Sequence, residues 1–446
     1  MRRISTNIAY SFLGEVLLFG FSFLLGVITA RYLGPAGRGS FWIIYNAAGL
    51  LTIVFSMRFR QSITYHLSRN RDILGEVVLY GLFVGTVTVF CVAILAAYCS
   101  HFLYSTLLKG LETSWAILVL VCFSYYLWAL VIGVIEGLML FNAKAIFMGG
   151  SYLLKCLLVL FGLGYLGLEF DGLILLMGSV EAIAYSIIVV MILGKAKHFH
   201  INASSFRGML RYSAGTFPGT VSDFYTLRMD AFFLNYFSGP SEVGIYSVAV
   251  SLSSMLLYLP AAIRNVLMPY IANFSDREIT ARLSRLLVMA TSMVCVIIIP
   301  LVWVAVIPIY GTEFSFSRPL FLILMPGSIF WGIFLLLASD VEGRGHPWRV
   351  SMISMMTAVA TAVLGLILIP SWNSVGAAIV SSVAQGISMF LVIQLYKRMI
   401  GVKLAQLLIP TVEDLRGFVK IINLFLVNRR RIVAPSLACR EKKPVI

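Results

Sequence analysis

Long apolar stretches separated by short polar turns run through almost the whole chain. They fall at 8–30, 39–57, 76–98, 115–140, 146–166, 172–193, 213–236, 243–268, 284–308, 318–338, 350–370 and 374–396. At 1.5 Å per residue each run is long enough to cross a hydrocarbon core of about 30 Å. The pattern predicts an all-α integral membrane protein with twelve transmembrane helices. The first run is too long for the h-region of a signal peptide, and TARYLGP offers no A-x-A site, so it is expected to stay as a helix.

The chain makes one turn twice. RYLGPAGRG (31–39) and SGPSEVGIY (238–246) both carry G-P-x-x-x-G followed two residues on by an aromatic. Gly34, Pro35, Gly39 and Phe41 pair with Gly239, Pro240, Gly244 and Tyr246 at an offset of 205 residues. A second echo joins FDGLILLMGSVEAI (170–183) to NSVGAAIVSSVAQGI (373–387). There Gly172 matches Gly376 and Glu181 matches Gln385 at an offset of 204. Two anchors at opposite ends of a six-helix unit therefore agree within one residue. They predict two parallel six-helix bundles, 1–200 and 201–398, followed by a basic tail, 399–446.

Composition fits this reading. The chain is 60% hydrophobic and 12% charged, with a mean hydropathy of +0.95. A soluble domain carries about a quarter charged residues. With the N-terminus cytoplasmic, 28 of the 34 Lys and Arg lie in cytoplasmic segments and four in outer ones, while Lys155 and Arg228 fall inside membrane runs. This bias predicts both termini inside. It also accounts for the net charge of +15 without a nucleic-acid partner. The six cysteines show no C-x-x-C spacing, so no metal site or disulfide framework is expected. There is no P-loop and no H-E-x-x-H, and the longest outer loop, near 99–114, is short. Neither a cofactor nor catalytic residues are expected.

Ionisable groups inside membrane runs are costly, about 2.5–3.5 kcal/mol each on insertion scales, and commonly face a cavity. In TFPGTVSDFYTLRMD, Thr216, Asp223 and Asp230 recur at seven-residue spacing and share one face. Arg228 points elsewhere, with Glu15 or Glu181 as candidate partners. Asp223, Asp230, Glu15, Glu181 and Lys155 are the candidates for ion coupling, with Asp223 the candidate proton carrier. Lys155 and Glu181 could instead simply neutralise one another, and Asp230 and Arg228 could be structural.

The first turn, A-R-Y-L-G-P-x-x-x-G, and the string LRMDAFFLNYFSGPSEVGIYSVAVSL (227–252) resemble the bacterial polysaccharide-transporter, or lipid-linked oligosaccharide flippase, family. IYGTEFSFSRPLFLIL (309–324) and IPSWNSVGAAIVSS (369–382) are also similar to it. That family belongs to the multidrug/oligosaccharidyl-lipid/polysaccharide exporter superfamily, with multidrug-and-toxin-extrusion transporters and lipid II flippases. Arg38 departs from the pattern, standing where an uncharged residue is usual. The resemblance implies a multi-pass inner-membrane flippase that moves a polyprenyl-pyrophosphate-linked oligosaccharide by alternating access. It implies membrane lipids around it, H⁺ or Na⁺ as candidate coupling ions, and polysaccharide polymerase and chain-length machinery as candidate partners. The alternatives are a cation-coupled multidrug antiporter of the same fold, or a membrane glycosyltransferase or ligase.

On that reading the arginines at the inner helix ends become candidate pyrophosphate ligands. Arg60 matches Arg264 at an offset of 204, and Gln61 then matches Asn265. Arginine suits bidentate phosphate recognition. Arg58 and Arg228 extend the cationic set. The competing explanation is positive-inside topology, which alone places arginines at such ends. In the tail, 411–431 is expected to form an amphipathic helix on the inner leaflet or against inner loops.

Overall fold

The computed structural model describes residues 2–106, 108–111, 114–196, 199, 202–258, 260, 277–401 and 407. Among them the fold is all-helical. The helices are α1 (Arg2–Phe55), α2 (Phe59–Arg69), α3 (Leu74–Tyr98), α4 (Ser100–Ser105), α5 (Trp115–Gly137) and α6 (Phe141–Val159), the last prolonged by a π-helical turn, Leu160–Tyr165. They continue with α7 (Phe170–Leu193), α8 (Ala203–Ser238), α9 (Pro240–Ser253), α10 (Arg277–Tyr310), α11 (Ser317–Gly343) and α12 (Pro347–Ile400). The expected amphipathic tail helix lies outside the described residues.

Eight of these helices are long and apolar enough to cross a membrane: α1, α3, α5, α6 with its π turn, α7, α10, α11 and α12. The twelve apolar runs become fewer elements because α1 and α12 each hold two runs, broken at a single residue. In α1 the break is Gly34 (φ 65°, ψ −171°), and in α12 it is Asn373 (φ 46°, ψ −127°). The polar α8 and the described part of α9 do not meet the criterion. Two boundaries differ from the sequence reading. Beyond the second apolar run a separate helix, α2, carries Arg60, and α8 begins ten residues before its apolar run. Asn202 caps α8 by accepting the Ser204 N–H at 3.0 Å.

Lipid exposure is plain in α10, where Val296 and Val304 are 73% and 71% exposed. Such surface is stable in hydrocarbon and not in water. By contrast α5 and α11 are the buried central helices. α1 packs on α6 and α9, α5 on α2, α3 and α7, and α12 on α8 and α11.

The α1–α9 seam is built by the repeated turn. Gly239 (φ 86°, ψ 176°) repeats the conformation of Gly34, a region open essentially to glycine alone. Each is followed by a proline that starts the next helical stretch, where its missing N–H is harmless. The two stretches then approach until a Cβ on Gly39 would fall inside the Pro240 carbonyl, and one on Gly244 inside the Pro35 carbonyl. The contact is reciprocal. Other polar links gather at this end. Lys109 Nζ donates to the Tyr236 carbonyl at 3.0 Å, and Asn235 Nδ2 donates to the Lys109 carbonyl at 3.0 Å. Arg31 donates to the Pro308 and Ile309 carbonyls at the C-terminal end of α10, a favourable place for a cation.

The buried apolar residues of the described chain fall into three clusters. One lies at the Gly-Pro end and draws on α1, α5, α7, α8, α9, α10, α11 and α12 together. At the opposite end there are two. One holds Phe59, Ile63, Leu67, Tyr126 and Tyr185 with their neighbours, and the other Trp331, Phe334, Val350 and Tyr396 with theirs. Among the described residues the core is thus shared at one end and divided at the other.

A Gly39→Val or Gly244→Val substitution is expected to destabilise the protein by about 1–3 kcal/mol or more, because backbone must retreat. Gly20→Ala, with nothing within 4 Å of its Cβ position, serves as the control. Thermal unfolding of detergent-solubilised protein reads the difference. Unchanged unfolding of both valine variants would show that the seam does not hold α1 to α9.

Candidate functional site

Two of the ionisable groups inside the membrane runs meet in a chamber bounded by α1, α5, α6 and α7. Lys155 and Glu181, from α6 and α7, form an ion pair there with Nζ 3.5 Å from Oε2. Their side chains are 13% and 2% exposed. Burying either charge alone would be expensive, and the pairing offsets part of that cost. The Lys155 ammonium also lies over the rings of Tyr45 and Tyr152, 4.8 and 5.4 Å from their centroids. Beside the pair is a cavity of about 70 Å³, walled by Tyr45, Tyr125, Trp128 and Tyr152. Ser124 completes the wall, but its hydroxyl is turned back to the Val121 carbonyl at 3.0 Å.

The aromatic walls were not legible as a site in the sequence, where 13% of residues are Phe, Tyr or Trp. A local signal existed. Tyr125 and Trp128, and Tyr152 and Lys155, are each spaced i, i+3 and so share helix faces. What the spacing does not show is that both faces meet Tyr45.

Arg228 does not reach Glu181, which Lys155 occupies. Its guanidinium lies over the Trp42 ring at 5.0 Å, a cation–π contact across α8 and α1. The side chain of Glu15, its other candidate partner, is outside the described set. Asp223 is half-buried in α8 with its Oδ1 enclosed.

Asp230 is 1% exposed and held by three donors: the Ala231 N–H at 2.7 Å and the hydroxyls of Tyr246 and Ser381. These residues come from the Arg-x-Asp string, the second Gly-Pro turn and the NSVGAAIVSS string. Three stretches far apart in sequence therefore converge on one carboxylate and tie α8, α9 and α12 together. A comparable knot that the sequence reading missed joins α11 to α12. Asp340, fully buried, accepts from Arg344 Nε at 2.7 Å and Tyr396 OH at 2.5 Å. Asp340 lies just past the end of the apolar run 318–338, so hydropathy alone placed it outside the membrane.

At the divided end, Arg60 sits on α2. Its Nη2 donates to both Glu136 oxygens, at 2.9 and 3.0 Å, and Lys144 Nζ lies 3.2 Å from the same carboxylate. Two cations share one acid, and the Arg60 side chain is 38% exposed. Gln61 has its Oε1 buried without a hydrogen-bond partner. Arg58 occupies the left-handed region (φ 56°) at the break into α2. The repeat counterparts of Arg60 and Gln61, Arg264 and Asn265, lie outside the described residues. Arg38, placed in an outer turn by the charge count, is 4% exposed within the α1–α9 seam. It donates to Thr29 Oγ1 at 2.6 Å and to Ser247 Oγ at 3.2 Å.

Residues 4–275 match the model of the polysaccharide biosynthesis protein family. A probable low-salt glycan biosynthesis flippase, Agl15, of Haloferax volcanii is 19% identical over 227 residues. The match covers 49% of this chain and 47% of that protein, so the chain spans about half the length of this curated relative. Among solved structures, lipid II flippase MurJ in an inward closed conformation matches with a TM-score of 0.70 at 15% identity, over 96% of this chain and 94% of that one. An inward-facing multidrug resistance MATE family transporter of the MOP superfamily matches at 0.65 and 13% identity, over 86% and 93%. The eukaryotic MATE transporter AtDTX14 matches at 0.62 and 13%, over 94% and 99%. At these identities the structural likeness establishes the fold.

Removing one member of the Lys155–Glu181 pair should cost more than removing both. Lys155→Met or Glu181→Gln alone is expected to destabilise by about 3–5 kcal/mol, and the double variant to recover much of it. A double-mutant cycle on unfolding midpoints checks this. Additive losses would mean that the two charges do not neutralise each other.

Proposed function

The chain belongs to the polysaccharide biosynthesis protein family and is a multi-pass integral protein of the inner membrane, and from that premise we propose that it is a flippase for a polyprenyl-pyrophosphate-linked oligosaccharide. The proposal takes α1 and α12 as two crossings each, counts α8 and α9 as crossings, and gives twelve in two six-helix halves with both termini cytoplasmic. The observation that carries it is the distribution of the core. Apolar packing is continuous across both halves at the Gly-Pro end and divided into two clusters at the end where Arg58, Arg60, Arg344 and Arg349 lie. Met209, in the first turns of α8, is buried in the cluster of the N-terminal half, so the two bodies can part at that end by releasing or carrying along the start of α8 while the rest of each core stays packed. The end that parts carries the cations that an entering pyrophosphate needs.

Charge balance favours a lipid-linked anion over a cationic drug. In the chamber Glu181 is matched by Lys155, and near the divided end Glu136 is shared by Arg60 and Lys144, which leaves a net positive charge there. Arg60 is poised for exchange. It is partly exposed, and its planar fork could trade the Glu136 carboxylate for two phosphate oxygens. Lys144 would then hold Glu136.

Purified protein in liposomes should move the lipid-linked oligosaccharide between leaflets, read by the accessibility of its glycan to an external lectin. In that assay Arg60→Lys is expected to retain about a tenth of the activity, the loss of roughly 1.4 kcal/mol that one bidentate contact can supply. Arg60→Glu should abolish it. No translocation by the wild type removes the flippase reading, whereas full activity of Arg60→Lys removes only the clamp.

The topology has its own check. In a cysteine-free background, Ser204→Cys at the start of α8 should resist a membrane-impermeant maleimide added to intact cells. Ser105→Cys, exposed at the Gly-Pro end, should react. The reverse pattern would invert the proposed orientation.

A further inference from the structure

We propose that the cavity beside Lys155 and Glu181 is a subsite for one neutral sugar ring of the transported glycan. The inference rests on the flippase reading for the identity of the ligand, but its support comes from the chemistry of the walls.

The cavity, about 70 Å³, offers room on the scale of roughly five waters. That suits the hydroxyl set of a single ring rather than a whole oligosaccharide. Its sides include the aromatic residues Tyr125, Trp128 and Tyr152, whose rings suit the C–H face of a pyranose. Its polar lining is incomplete in a specific way. Glu181 gives one oxygen to Lys155, while its other oxygen, Oε1, is buried with no hydrogen-bond partner. The Tyr45 hydroxyl is likewise buried without one. A buried acceptor left unmade is costly, so these two groups are set for a ligand that donates to a carboxylate and exchanges a hydrogen bond with a phenol. A hydroxyl does both.

Charge selects further. An anionic group brought to Glu181 Oε1 meets a like charge. A cationic group meets the Lys155 ammonium, already paired with Glu181 and seated over Tyr45 and Tyr152. The ion pair is neutral as a whole, and the ligand that fits both halves of it is a neutral polyol with an apolar face. The cavity lies within the N-terminal half, on α1, α5, α6 and α7, close to where that half meets α8. Gly49 of α1 sits where a Cβ would be 3.6 Å from both Tyr125 and Phe224 of α8. A ring resting on Tyr125 is therefore at the point where α1 meets α8.

The test is saturation-transfer NMR on the full-length protein in detergent. Galactose, rhamnose and N-acetylglucosamine serve as neutral probes, with glucuronate and glucosamine as charged ones. Saturable transfer to the ring C–H protons of at least one neutral sugar is expected, at least fivefold stronger than for either charged probe. The signal should vanish in Tyr125→Leu, which removes an aromatic wall without touching the ion pair, and persist in Tyr125→Phe. Unfolding midpoints identify a variant that fails to fold, and Trp128→Leu then takes its place. No neutral-sugar signal above that of the wall-less variant, or a preference for a charged probe, overturns the subsite and leaves the cavity to water. The two readings separate cleanly. Translocation without sugar binding removes the subsite and keeps the flippase, while sugar binding without translocation does the opposite.

Discussion

The reciprocal contact between Gly39 and the Pro240 carbonyl, and between Gly244 and the Pro35 carbonyl, is the constraint around which the rest of the molecule is arranged. In lipid there is no hydrophobic gain from bringing two apolar helices together, so association depends on close van der Waals packing and polar contacts. Only a residue without a side chain lets backbone meet backbone. Here each partner supplies one such glycine and one carbonyl, as two copies of one surface do about a two-fold axis. The breaks at Gly34 and Gly239 make the approach possible, because similar unusual φ and ψ values redirect the backbone just before both stretches of the seam. The shared apolar cluster forms around that seam, and Arg38, four residues from Gly34, is carried into it.

Charges inside the bundle are satisfied in two different ways. Lys155 with Glu181, and Arg60 and Lys144 with Glu136, are ion pairs between helices. Asp230 is held by hydroxyls and a backbone N–H, and Arg38 by the hydroxyls of Thr29 and Ser247. The second group sits at the Gly-Pro end, where α8, α9 and α12 are tied at Asp230 and α1 is tied to α9 at Arg38. The pair at Glu136 sits toward the divided end, and there Arg60 is partly open to solvent. Hydrogen bonds to uncharged partners fix the joint, while on the proposed function an ion pair that a phosphate could replace lies where the substrate would enter. The division of labour fits a transporter whose halves pivot about one end.

Much of the architecture was legible in the chain. Twelve apolar runs, a Gly-Pro turn written twice and a one-sided distribution of Lys and Arg are local or statistical features that need no tertiary information. They were sufficient for an all-helical membrane fold, while the family was read from the resemblance of the first Gly-Pro turn and of the strings 227–252, 309–324 and 369–382. The reading went astray where a boundary depended on more than hydropathy. A turn between two runs proved to be a one-residue break inside α1, the chain beyond the second run proved to be a separate helix, α2, and Asp340 was left outside its helix.

The sequence by itself determined the helices, the repeated turn and the kind of groups buried in the membrane, because hydrophobicity, glycine and proline act on the backbone that carries them. Only the tertiary structure decided which buried groups meet. A run that is apolar on all sides carries no stripe to say which face turns inward. The chain offered Lys155 with Glu181 as one pairing among several, and nothing in it announces that Arg228 goes to Trp42, or that Tyr45, Tyr125, Trp128 and Tyr152 close around one cavity. Those choices depend on the rotation and height of helices fixed by packing elsewhere, at glycines whose missing side chains set how closely, and at what angle, the helices can approach.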